Sequence, residues 1–105
     1  MGELVTIKEE VLNRLRQNGV YLQTLGVKRI GLFGSFARGE QQDAGDIDLL
    51  VEFEKEKKTF DNFMARSFYL ETLFLRRVEL ITPESLSPYI GPNILKEVEY
   101  AQIAT

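Results

Sequence analysis

Leu49-Leu50-Val51 is apolar at three consecutive positions inside a segment, Ile47 to Phe53, that reads as a β-strand. Successive side chains of a strand point to opposite faces, so such a run needs cover on both sides. This requires a layered α/β arrangement with the strand at its centre. The rest of the chain supplies the layers. Thr6 and Glu9 form a capping box, and Ile7, Val11, Leu12 and Leu15 follow at helical spacing. Asn18-Gly19 breaks that helix. Tyr21, Leu22 and Leu25 add a turn or two, and Gly26 ends them. Val27 to Phe33 reads as a first strand, stopped abruptly by Gly34-Ser35, with Phe36 to Gly39 as a short helical turn. Glu40 to Gly45 is a polar loop before the central strand.

Glu54 to Lys58 is a charge run that reads as a solvated loop, after which Thr59 can cap a helix. Phe60, Phe63, Met64, Phe68, Leu70, Leu73 and Phe74 form a wide apolar stripe, expected to be core. Arg77 to Thr82 is a third strand, closed by Pro83. Pro88, Gly91 and Pro92 forbid one long C-terminal helix but allow a short one over Asn93 to Tyr100. The expected fold is a small α/β (α+β) domain, a mixed sheet flanked by helices, spanning residues 1–105 as one unit. Area scaling for 105 residues predicts about 6,000 Å² of folded surface.

Absent residue types narrow the chemistry. The chain has no Cys and no His, so it holds no disulfide, thiolate nucleophile, imidazole base or His-ligated zinc. Acid–base and metal chemistry fall to carboxylates, Lys or Tyr. Thirteen basic against sixteen acidic residues give a net charge of −3, without the broad cationic footprint of a nucleic-acid binder. No apolar run approaches a membrane span and no signal peptide is visible, so no membrane partner and a cytoplasmic location are expected. Met1-Gly2-Glu3-Leu4-Val5-Thr6 fits the loose myristoylation pattern, but Thr6 is better used as a helix cap.

Asp46-Ile47-Asp48 places two carboxylates on one face at a strand entrance, about 7 Å apart along the backbone. One cation can recruit both, and two acids capping a strand from its loop would look the same. Gly34-Ser35 stands where a strand gives way to a helical turn. There, free backbone N–H groups and a small hydroxyl suit an anion, and a plain turn with Ser as cap is the alternative. The combination is more specific than either part. Gly-Ser, ten residues, then Asp-x-Asp arises by chance in roughly one sequence per thousand of this length. It falls on strand–turn–strand, the layout of a metal–polyphosphate site.

Glu79, within Arg77-Val78-Glu79-Leu80-Ile81, is expected on one face of a largely buried strand. A buried carboxylate needs a partner, either a metal or an Arg such as Arg29, Arg38 or Arg77. If its strand lies beside the central one, Glu79 completes a triad with Asp46 and Asp48. Arg38 can hold phosphate charge or stand exposed in the loop.

Gly34-Ser35-Phe36-Ala37-Arg38-Gly39-Glu40 followed by Asp46-Ile47-Asp48-Leu49-Leu50-Val51 resembles the minimal nucleotidyltransferase family of the DNA polymerase β-like superfamily. The likeness continues through Arg76 to Pro83 and the tail Ile94-Leu95-Lys96-Glu97-Val98. It implies a polymerase β-like nucleotidyltransferase fold, two Mg²⁺ ions and ATP or another nucleoside triphosphate as substrate. It further implies an antitoxin that inactivates a partner HEPN-domain RNase toxin by transferring AMP to a tyrosine. By the same resemblance Gly34 and Ser35 hold phosphates, with Arg38 beside them. Asp46 and Asp48 hold metal, and Glu79 matches the third acid. Two positions depart from the pattern: Glu79 stands where Asp is usual, and Gly45 where Ser usually precedes the acid pair. Little chain remains for an acceptor pocket, so the acceptor is expected on another chain or in a shared homo-oligomeric site. The alternatives are a module that neutralises a toxin by occlusion and a transferase for a small hydroxylated molecule such as an aminoglycoside.

Overall fold

In the computed structural model, the described residues are 7–40, 45–54 and 60–103. The Thr6 cap, the charges at 55–58 and the Thr59 cap lie outside them, as do the side chains of Phe60 and Phe63. Helix α1 (Lys8–Gln17) opens with the Ile7 N–H donating to Glu10 Oε1 at 3.4 Å. Its acidic first turn (Glu9, Glu10) and basic last turn (Arg14, Arg16) both complement the helix dipole. Helix α2 (Gly19–Thr24) follows the break at Asn18, and strand β1 (Val27–Phe33) follows Gly26. A single helical turn, α3 (Ser35–Arg38), leads by way of the polar loop to β2 (Ile47–Phe53). Helix α4 (Phe60–Phe74), β3 (Val78–Ile81), a 3₁₀ turn (Pro83–Ser85), helix α5 (Gly91–Glu97) and β4 (Glu99–Tyr100) complete the described chain.

The sheet has the order β3-β2-β1-β4, with β2 parallel to β3 and β1 antiparallel to both β2 and β4. This is the mixed sheet expected from the sequence, with the doubly apolar strand at an interior position. One face carries the main core. Ile30 and Leu32 of β1, Ile47, Leu49 and Val51 of β2, and Val78 and Leu80 of β3 meet Val11, Leu15, Leu22, Leu70 and Phe74 from the helices. On the opposite face, Phe33 and Leu50 are buried, and Leu50 is flanked in register by Gly31 and Ile81. The exposed surface is 6453 Å², close to the area scaling.

Two expectations are corrected here. The stripe on α4 is narrower than its sequence suggests. Leu70 and Phe74 are buried, but Met64 is 38% and Phe68 65% exposed, and the buried position one turn before Leu70 belongs to Arg66. Arg66 lays its guanidinium over the Phe53 ring, 4.4 Å from the centroid, and so takes the place of an apolar side chain. The C-terminal helix also differs. It starts at Gly91 and stops at Glu97, and the following residues return as β4 against β1. Gly31 permits this return. A Cβ there would lie 2.6 Å from Val98 Cγ2 and 2.9 Å from Tyr100 Cδ1. Tight packing of Val98 over Gly31 thus brings the end of α5 to the face of the sheet that carries the acidic residues.

Candidate active site

The site is built where β1 ends, β2 begins and β3 runs alongside. Gly34 follows the last residue of β1 with φ 79° and ψ −156°, a conformation that side-chain-bearing residues avoid. A Cβ at Gly34 would collide with Oδ2 of Asp48. Glycine is therefore required twice, for the backbone angle and for close approach. The two halves of the sequence motif, ten residues apart in the chain, are thereby in direct apposition. Ser35 opens α3, whose Phe36 is fully buried and anchors the turn. Arg38 sits at its other end.

Asp46 and Asp48 bracket Ile47, which is buried in the core. Burial of Ile47 forces its two neighbours toward the opposite face. The entrance to β2 is held by backbone contacts: Ile47 N–H donates to the Arg77 carbonyl at 2.9 Å, and Arg76 Nη1 to the Gly45 carbonyl at 3.2 Å. Arg76 also lies 5.1 Å from the Phe36 ring centroid, so one side chain touches both sides of the motif. The parallel register pairs Asp48 with Glu79. The strands are neighbours, as the triad requires, and both carboxylates occupy the same face.

Glu79 itself is exposed, which corrects the expectation of a buried carboxylate. Strand β3 is at the sheet edge, and the face bearing Glu79 is open to water, so solvation replaces a partner. The salt-bridge alternative loses two of its candidates. Arg29 pairs with Glu52 at 2.7 Å, and Arg38 with Glu40 and Glu97 at 2.9 Å each. Among the described residues no ion pair reaches Glu79.

Asp48 carries the electrostatic signature of the site. Its carboxyl is pushed from its ordinary 3.8 up to about 6, first by burial, then by the negative charges of Glu79 and Asp46, with Glu97 adding to them and Arg38 opposing. Such crowding is what a cation relieves. The donors are all carboxylate oxygens, the type Mg²⁺ takes. Among the described residues no three acidic side chains converge into a ready-made metal cluster. Mg²⁺ is commonly held by one or two carboxylates together with substrate phosphates. Asp46 and Asp48 suit that mode, with Glu79 within the same electrostatic field.

One residue of the site was not singled out by its sequence. Glu97, the last residue of α5, accepts from Gly34 N–H through Oε2 at 2.7 Å and from Arg38 Nη1 through Oε1 at 2.9 Å. Burial pushes its carboxyl up, but the Gly34 hydrogen bond, then the Arg38 hydrogen bond and charge, outweigh this and hold it below the usual carboxylate value. No spacing rule connects position 97 with position 34. Their meeting depends on β4 returning beside β1.

The family pattern described as nucleotidyltransferase domain matches residues 8–101. The chain belongs to the nucleotidyltransferase domain family. Its architecture is that of a nucleotidyltransferase. The chain is 41% identical over 78 residues to the protein adenylyltransferase MntA of Thermococcus cleftensis, covering 74% of this chain and 78% of that one. A Methanocaldococcus jannaschii protein assigned as a protein adenylyltransferase is 37% identical over 87 residues, 81% of this chain and 98% of the other. Among solved structures, one described as a minimal nucleotidyltransferase superposes with a TM-score of 0.75 at 32% identity, over 90% of this chain and 95% of that chain. A toxin–antitoxin crystal structure with AMP-PNP shares the fold at 20% identity and a TM-score of 0.65, over 90% of this chain and 72% of that one. Among the described residues no helix is long and apolar enough to cross a membrane.

Proposed function

We propose that this nucleotidyltransferase moves AMP from ATP to a hydroxyl, in the first instance a tyrosine hydroxyl, of a partner HEPN-type toxin, and so acts as its antitoxin. The observation that carries the reading is the placement of Asp48, in register with Glu79 and against a glycine that leaves no space for a Cβ. A phosphate-approach surface and an acidic strand thus form one site. The names of the relatives, protein adenylyltransferase and toxin–antitoxin, support the acceptor class.

The residues divide the work by chemistry. Gly34 and Ser35 receive phosphate oxygens through backbone N–H and hydroxyl, and Arg38 adds positive charge. Asp46 and Asp48 would hold Mg²⁺, two ions being the expected number, with Glu79 as the third acid. When bound, Mg²⁺ polarises the phosphates and lowers the pKa of the attacking hydroxyl. In the transfer, the acceptor oxygen forms a bond to the α-phosphorus and the bond to pyrophosphate breaks. The hydroxyl proton passes to a carboxylate, because the chain has no imidazole to take it. Glu79, exposed on the open face, is the acid an incoming protein segment can reach.

The test is intact-mass measurement of the toxin encoded beside this chain after incubation with ATP, Mg²⁺ and the protein. A gain of AMP, lost with chelator or with Asp46→Asn and Asp48→Asn together, is the expected result. Neutralisation of the toxin by the double variant without any mass gain would replace catalysis by occlusion. Transfer at the wild-type rate by that variant would remove the proposed site.

A further inference from the structure

Glu97 occupies the donors on which nucleotide binding depends. Its two carboxylate oxygens take the Gly34 N–H at 2.7 Å and an Arg38 guanidinium N–H at 2.9 Å. A backbone N–H together with a guanidinium is the donor set a phosphoryl group uses, and a carboxylate satisfies it with the same geometry. A backbone N–H has one hydrogen, and at 2.7 Å to Glu97 it has none left to donate to a second anion. We infer that Glu97 is an internal competitor for the triphosphate: it closes the Gly34–Arg38 donor pair, and a polyphosphate seats there only when Glu97 has left. The inference rests on the nucleotide reading of the site.

The position of Glu97 makes departure feasible. It is the last residue of α5, the chain turning extended at Val98 (φ −65°, ψ 136°), and its side chain is 24% exposed. Water is therefore within reach of a released carboxylate. Arg38 keeps a second carboxylate, Glu40, on its Nε, so the guanidinium stays oriented when Glu97 leaves. Glu97 also adds negative charge to the field around Asp48, and its departure lowers repulsion toward an incoming polyphosphate. A residue that merely positioned Arg38 for phosphate would have the opposite effect on affinity, so the sign of the change decides.

The experiment is calorimetric titration of the full chain and of Glu97→Gln and Glu97→Ala at one fixed ionic strength. The probes are AMP-PNP with Mg²⁺, inorganic tripolyphosphate with Mg²⁺, and adenosine. An internal anion that holds the donors nine-tenths of the time lowers apparent affinity about tenfold. AMP-PNP and tripolyphosphate are therefore expected to bind about five- to tenfold more tightly to the variants, and adenosine with unchanged affinity. Equal or weaker binding of both polyphosphates, in variants that melt with the wild type, would overturn the inference while leaving the nucleotide reading intact. Loss of the fold in both variants would make Glu97 a structural residue and overturn it as well. If neither wild type nor variants bind AMP-PNP, the nucleotide reading falls and the competitor with it.

Discussion

Asp48→Asn is expected to stabilise the metal-free protein while abolishing transfer. Asp48 lies half-buried beside Glu79 and Asp46, and its carboxyl is raised from 3.8 to about 6. A group whose folded pKa exceeds its unfolded value opposes folding in its charged form. That penalty is small below about pH 4, grows as the pH rises through the interval from 3.8 to 6, and is complete above it. Without screening the interval corresponds to about 3 kcal/mol. Solvent reaches the side chain, and the discounted value is about 1–2 kcal/mol. The amide keeps the shape and lacks the charge, so the variant escapes the penalty. At about 4–8 °C per kcal/mol for a domain of this size, its melting temperature should exceed wild type by several degrees at pH 8. The measurement is thermal unfolding by circular dichroism in chelator at pH 8 and pH 4. The gain should appear at pH 8 and shrink to about a fifth of that at pH 4, and Mg²⁺ should stabilise wild type but not the variant. The same offset at both pH values, or a variant less stable at pH 8, would refute like-charge crowding at Asp48.

Other substitutions probe the remaining parts. Glu79→Gln should not lower the melting temperature, because the side chain is exposed and its charge repels Asp48, but should cut the single-turnover rate by about 10²–10⁴-fold through loss of the proton acceptor. Glu79→Asp should retain measurable turnover, and an unchanged rate in Glu79→Gln would reduce the site to two acids. Ser35→Ala should weaken AMP-PNP binding by about 1–2 kcal/mol in calorimetry, the loss of one hydrogen bond to a charged group. Gly34→Ala places a side chain at φ 79° and against Asp48 Oδ2, so it should destabilise by about 1–3 kcal/mol in urea unfolding and abolish polyphosphate binding. Wild-type stability in Gly34→Ala would show that the turn relaxes freely.

Much of the architecture was legible because it rests on local rules. Three apolar residues in succession at 49–51 mark an interior strand wherever the chain goes. Gly26 and Gly34 end their elements because their backbones need positive φ. The Gly-Ser/Asp-x-Asp spacing falls on strand–turn–strand, so its chemistry was readable before its geometry. The α4 stripe was misread because periodicity reports only which residues share a face of the helix. Phe68 lies outside the strip the sheet covers, and buried Arg66 uses its apolar stem and planar head where an aliphatic residue would fit.

By itself the sequence determined the element order, the interior place of Ile47–Phe53 and the pair of acids ten residues after a glycine turn. Each depends on residues close together in the chain, where φ/ψ preference and side-chain alternation suffice. Only the tertiary structure decided the exposure of Glu79, the apposition of Gly34 with Asp48 and the arrival of Glu97 at Gly34 and Arg38. Exposure of Glu79 depends on β3 being an edge strand, a property of the whole sheet rather than of the strand. The Asp48–Glu79 register is set by the crossover over residues 54–77. Glu97 reaches Gly34 only because Gly31, at mid-strand, leaves space for Val98. Contacts between residues sixty positions apart come from how layers stack and edges pair, and no window along the chain contains them.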